Sequence, residues 1–147
     1  MGLLIAEPPA AYHRHPPAIV DSSVLAAFIY MEPEAGEAEA VLRLHSLYAP
    51  SLLPLEIANV AMNKLRRGIA SARDLEERLA GFDFSCITLR DVPPDEAFAL
   101  AARYTLSAYD AAYLWLAGEL GAPLLSFDAR LVEAARDHLG RLPPAPV

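Results

Sequence analysis

Apolar residues recur along this chain in two rhythms: short unbroken runs, and longer stretches in which they return every three or four positions. The short runs are Ala18-Ile19-Val20, Leu47-Tyr48-Ala49, Cys86-Ile87-Thr88-Leu89 and Leu124-Leu125. Such runs, flanked by helical stretches, mark strands buried on both faces. The longer stretches predict helices over 24–30, 34–45, 52–67, 71–81, 94–104, 108–120 and 129–139. Strands that alternate with one or two helices build a parallel sheet covered on both sides. The expected class is α/β, a three-layer α/β/α sandwich around a central, mostly parallel sheet of 4–5 strands.

Cap residues punctuate this pattern. Asp21 and Ser22 precede the first helix and Ser51 the third; Ser71 with Asp74 and Ser107 with Asp110 have capping-box spacing, and Gly68 and Gly121 stop helices. The 13 prolines gather in the two ends and at helix starts. This divides the chain into a Pro-rich, flexible arm (1–17), a domain (18–140) and a short Pro-rich tail (141–147). His13 and His15 share a spacing that can bind metal, but a flexible arm gives them no fixed geometry.

Composition narrows the function classes. The 147 residues suit one domain, and 54% hydrophobic with 21% charged residues is a globular composition. A single cysteine, Cys86, excludes an intrachain disulfide and a Cys-rich zinc site; its apolar surroundings predict burial. No stretch approaches the ~20 apolar residues of a membrane span, and the amino end lacks the form of a signal peptide, so a cytoplasmic protein is expected. The net charge of −7 opposes nucleic-acid binding, unless part of it is an acidic cluster that a cation neutralises. The run Glu32, Glu34, Glu37, Glu39 reads as a solvated face.

Four acids stand out. Asp21 and Asp128 follow predicted strands, while Glu56 and Asp110 lie early on helices that start near the same sheet edge. In a parallel sheet such positions converge on one crevice. Taken singly, Asp21, Asp110 and Asp128 read more readily as helix-cap residues than as site residues; the joint pattern carries the functional reading. Glu56 has apolar neighbours on nearly every side and heads a polar stripe with Asn59, Asn63 and Arg67. Carboxylates brought together raise one another's pKa, and a divalent cation removes the repulsion. Oxygen-only ligands favour Mg²⁺ or Mn²⁺. No Ser-His-Asp or Cys-His arrangement competes.

These residues resemble a known family. Ile19-Val20-Asp21-Ser22-Ser23-Val24-Leu25, Leu53-Pro54-Leu55-Glu56-Ile57-Ala58-Asn59, Leu106-Ser107-Ala108-Tyr109-Asp110-Ala111-Ala112-Tyr113 and Leu124-Leu125-Ser126-Phe127-Asp128 are similar, in order, to the four motifs of PIN domains. Within that family the chain resembles VapC toxins, the ribonuclease half of toxin–antitoxin pairs. It departs from the family in its longer arm and in Gly140-Arg141-Leu142-Pro143-Pro144, a poor candidate for the family's closing fifth strand.

The resemblance implies a metal-dependent endoribonuclease. Asp21 and Asp110 would be the principal ligands of Mg²⁺ or Mn²⁺, with Glu56 and Asp128 binding directly or through water, and Ser23 and Ser126 orienting the carboxylates. Lys64, Arg66, Arg67 and Arg130 are the candidate RNA contacts; the first three equally suit a helix carboxyl end. The implied partners are RNA, a cognate antitoxin and a second copy in a homodimer. The apolar helix Val24–Met31 fits a partner surface or a helix packed on two sides. Two alternatives are a catalytically inert PIN-like binding module and a haloacid-type or receiver-type phosphotransfer domain. The latter wants a late lysine, and Lys64 is the only lysine.

Overall fold

The computed structural model describes residues 15–144. Its strands are β1 (Pro17–Val20), β2 (Ser46–Pro50), β3 (Ile87–Arg90) and β4 (Leu124–Leu125), all parallel, in the order β3-β2-β1-β4. The helices are α1 (Ser22–Ile29), α2 (Ala35–Arg43), α3 (Leu53–Arg66), α4 (Ala72–Gly81), α5 (Pro94–Tyr104), α6 (Ala108–Leu120) and α7 (Ala129–Gly140). The chain steps outward from β1 to β3, then returns through α5 and α6 to lay β4 on the other side of β1. The direction of winding reverses between β1 and β4, and a doubly wound sheet opens its ligand crevice at the carboxyl ends of such a pair.

Packing follows from the apolar patterns. α1 packs on α2 and α3, and α3 on α4; α6 packs on α5 and α7 and lies against β1, β2 and β4. α6 serves two apolar clusters, giving Tyr113 and Leu116 to the one built on Ile19, Val20, Leu25 and Ile57, and Ala111 and Leu114 to the one with Leu100 and Leu131. A helix apolar on nearly every side is one buried on nearly every side.

Helix ends match the glycine signals. At Gly68 (φ +67°), the Gly68 N–H donates to the Leu65 carbonyl and the Ile69 N–H to that of Lys64, each at 3.0 Å. These are the two bonds of a Schellman turn. Gly121 (φ +57°) closes α6 in the same way. At the end of α5 the left-handed position is held by Thr105 (φ +54°).

Several expectations need correction. Ser51 does not cap α3: its Oγ donates to Asp91 Oδ1 at 2.6 Å, tying the end of β2 to the loop after β3, while α3 opens from Leu52 with Pro54 in its first turn. Cys86 is exposed, because β3 begins at Ile87 and turns that side chain inward, leaving Cys86 at the end of a 3₁₀ turn (Phe84–Cys86). α1 is no open surface: Val24, Leu25, Ala26, Ala27 and Ile29 are all buried. Glu32 departs from the solvated acidic face by pairing with Lys64. Pro17, assigned to the arm, pairs with Ser46 in the sheet, and the rest of the arm up to residue 14, His13 included, lies outside the described residues. Residues 141–144 form no strand, so the sheet has four strands among the described residues.

Candidate active site

Asp21 follows β1 directly and caps α1. At 4% exposure it is the buried charged side chain among the described residues. Its Oδ2 accepts the Ser23 hydroxyl at 2.7 Å and the Ser126 hydroxyl at 2.8 Å. Ser23 Oγ in turn accepts the Phe127 N–H at 3.0 Å, and Ser126 Oγ the Asp128 N–H at 2.9 Å. The chain leaving β4 is thus folded around the acid that leaves β1. Asp21 Oδ1 has no such bond, and no buried side-chain oxygen or nitrogen among the described residues lacks a partner. Oδ1 therefore meets solvent.

The other acids are also tethered. Asp128 caps α7, its Oδ1 accepting the N–H groups of Arg130 (2.9 Å) and Leu131 (3.2 Å). Glu56 lies in the first turn of α3, where its Oε1 accepts the Tyr113 hydroxyl at 2.5 Å. Burial pushes its carboxyl up to about 7; the Tyr113 bond opposes that rise, and the charges of Asp21 and Asp110 add to it. Asp110 lies in the first turn of α6, whose cap is Ser107. Burial raises it too, the Ser107 bond opposes, Asp21 and Asp128 raise it further, and Arg130 lowers it. Arg130 is itself anchored, its Nη2 donating to the Thr105 carbonyl at 2.8 Å.

The structure thus places all four predicted acids after strand ends or in first helical turns, and the charges of Asp21, Glu56 and Asp110, and of Asp110 and Asp128, act on one another. Among the described residues, no three His, Cys, Asp or Glu side chains form a ready-made metal cage. The donor set nevertheless fits a hard divalent ion: oxygen throughout, with Asp21, Glu56 and Asp128 each held by one oxygen and the other without a partner among the described residues, and with mutual repulsion that such an ion removes. A hollow of about 420 Å³ lined by Leu52, Val92, Ala108 and Tyr109 lies beside the first turn of α6. A larger one, about 540 Å³, is lined by Leu25, Phe28, Phe82 and Cys86 and contains none of the four acids.

The predicted cations divide. Lys64 is spent inside the fold: its Nζ lies 2.6 Å from Glu32 and over the Tyr30 ring, with 15% of the side chain exposed. Arg66 and Arg67 are exposed, with no ion pair among the described residues. Tyr113 was given no role from sequence. Its signal was a hydroxyl in an otherwise apolar stretch of α6, since a buried phenol requires a partner.

The sequence pattern described as the PIN domain matches residues 18–137. The chain is 34% identical over 121 residues to a Pyrobaculum aerophilum protein named Ribonuclease VapC3, an alignment covering 78% of this chain and 92% of that protein. Its fold is similar to the crystal structure of PAE2754 from the same organism, with a TM-score of 0.60 and 25% identity over 86% of this chain and 95% of the other.

Proposed function

The chain belongs to the PIN-domain family, and from that premise we propose that it is a metal-dependent endoribonuclease, the toxin of a toxin–antitoxin pair. One observation carries the reading: Asp21, buried where the winding of the sheet reverses, has one oxygen fixed by Ser23 and Ser126 and the other open to solvent, with the charges of Glu56 and Asp110 acting around it. Asp21 and Asp110 would hold Mg²⁺ or Mn²⁺, with Glu56 and Asp128 bound directly or through water. Such an ion supplies Lewis acidity, lowering the pKa of water and stabilising charge on phosphate oxygens. The chain's own part is to orient. Ser23 and Ser126 fix Asp21, Tyr113 fixes Glu56, and the first turn of α7 fixes Asp128. Arg130, whose charge acts on Asp110 and whose Nη2 is anchored at the Thr105 carbonyl, is the predicted cation that would meet a phosphate there.

By resemblance, the partners are RNA, a cognate antitoxin protein and a second copy of the chain, and the compartment is the cytoplasm. Among the described residues, no helix is long and apolar enough to cross a membrane. A second reading, an inert binding module, draws on the lack of a ready-made cage. A fluorogenic RNA assay separates the two. Cleavage that requires Mg²⁺ or Mn²⁺, stops with chelator and disappears in Asp21→Asn supports the enzyme; equal background in wild type and variant supports the binding module.

A further inference from the structure

Three segments of the chain close one hollow at the carboxyl edge of the sheet. Ser51 and Leu52 follow β2, Asp91 and Val92 follow β3, and Tyr109 lies in the first turn of α6, around a volume of about 420 Å³. Two of these segments run straight into the acidic site: Leu52 opens the helix that carries Glu56, and Tyr109 is followed by Asp110. Tyr109 is 65% exposed, so it contributes little to the core. An aromatic ring held out from a fixed helical turn is a surface on which a base can stack.

Between them, Ser51 and Asp91 present acceptors only. The Ser51 hydroxyl is committed to Asp91 Oδ1 at 2.6 Å, and the Ser51 N–H to the Arg90 carbonyl at 2.9 Å. Asp91 Oδ2 accepts no hydrogen bond, and the carboxylate joins no ion pair, among the described residues. A carboxylate repels phosphate, so this edge is not made for an RNA backbone. It fits a neutral group that carries donors.

We propose that this hollow is a nucleobase subsite beside the cleaved bond, in which the Tyr109 ring stacks on the base and Asp91 selects guanine. Guanine alone among the RNA bases presents two adjacent donors, N1–H and the N2 amino group, which a carboxylate accepts in parallel. Uracil sets its N–H between two carbonyls, and adenine and cytosine set a ring acceptor beside their amino group. Each of these brings an acceptor against the carboxylate. Stacking tolerates any base, so the selectivity comes from Asp91. A base paired in a duplex cannot enter, and the substrate class is therefore single-stranded or looped RNA with a guanine at the cut. The subsite deepens the ribonuclease reading and rests on it for the position of the cut.

Binding and cutting are tested separately. In Asp21→Asn with chelator, fluorescence anisotropy compares short single-stranded oligouridylates that carry one central guanine, adenine or cytosine. The guanine oligonucleotide binds about 10–100-fold more tightly, the discrimination of a good bidentate pair. Adding Asp91→Asn keeps an oxygen for the Ser51 hydroxyl but turns an amide donor toward the base, and the preference disappears. Adding Tyr109→Ala instead weakens every oligonucleotide by a similar factor of about 10, and Tyr109→Phe keeps the affinity. Equal affinity for all the oligonucleotides overturns the role of Asp91. No binding, or binding that Tyr109→Ala leaves unchanged, overturns the subsite. Cuts are then mapped in an RNA of mixed sequence: wild type cuts beside guanine, and Asp91→Asn beside any base. Wild-type cuts with no guanine beside them overturn the place of the subsite. If the wild type cuts no RNA while the guanine preference in binding persists, the ribonuclease reading falls and the base subsite stands.

Discussion

Tyr113 and Glu56, from α6 and α3, are joined by a 2.5 Å hydrogen bond across 57 positions of sequence. Tyr113 is fully buried, and one residue on from Glu56 the carbonyl of Ile57 accepts a second buried phenol, Tyr30, at 2.8 Å. Two tyrosines, one within α6 and one just past the end of α1, thus pin the turn of α3 that carries the acid. Tyr113→Phe keeps the ring packing and removes the bond, at an expected cost of about 1–2 kcal/mol. Because that bond favours the charged carboxylate, its loss moves Glu56 further above about 7. In the metal-free protein the Glu56 carboxyl should therefore titrate at higher pH in Tyr113→Phe than in wild type, read by NMR of the side-chain carboxyl, while the fold survives. An unchanged titration in Tyr113→Phe rules out this orienting role.

The metal-free protein should also record Glu56 in its stability. An unfolded glutamate loses its proton near 4.5 and this one near 7, so between those values the folded state holds a proton that the unfolded state has released. Stability therefore falls as pH rises through that window. Asp110, also raised, acts in the same direction. His138, held low chiefly by burial, acts in the opposite direction near neutrality. The informative quantity is therefore the difference in Tm between wild type and Glu56→Gln: wild type should lose ground to the variant from pH 5 to pH 8, and millimolar Mn²⁺ at pH 8 should return it. Parallel melting curves across the range would contradict the raised carboxyl.

Local signals made most of the fold legible. Strand runs, glycine stops and the serine caps at Ser71 and Ser107 each act within a few residues, and the structure keeps them. The failures are long-range. Ser51 has the composition of a cap, but its hydroxyl is claimed by Asp91, 40 positions away, and Lys64 is claimed by Glu32. The acids are legible from a topological rule, Asp21 and Asp128 because they follow strands and Glu56 and Asp110 because they open helices near the same sheet edge. Their tethers were harder to see, since Ser126 reaches Asp21 across 105 positions and Tyr113 reaches Glu56 only once α6 lies on the sheet.

Thr105 stores strain. It is an exposed β-branched residue at φ +54°, a conformation costly for any side chain and rare for this kind. Its carbonyl holds Arg130, and that bond needs no side chain at residue 105. Thr105→Gly should relieve roughly 1–2 kcal/mol of strain and give back part of it as unfolded-state entropy, a net gain of about 0.5–1 kcal/mol. Urea denaturation reads this directly, and a loss of stability would show that the threonine side chain contributes to the corner.

Metal affinity separates the acids that would bind an ion from the hydroxyls that would orient them. Asp21→Asn is nearly isosteric, and its amide oxygen can still accept the Ser23 and Ser126 hydroxyls, so the variant should fold and lose the charge alone. Ser126→Ala leaves the charge and removes one tether, along with the acceptor of the Asp128 N–H. Loss of such a supporting group typically weakens a metal about 10–100-fold. Mn²⁺ titration calorimetry should therefore rank wild type first, Ser126→Ala about 10–100-fold weaker, and Asp21→Asn weaker still. Adding the Glu56→Gln change to Asp21→Asn should cost little more, because the ion is already lost. The opposite ranking, with Ser126→Ala the weaker binder, would make the serine the ligand and Asp21 its support; equal affinity in all of them would place the ion elsewhere on the protein.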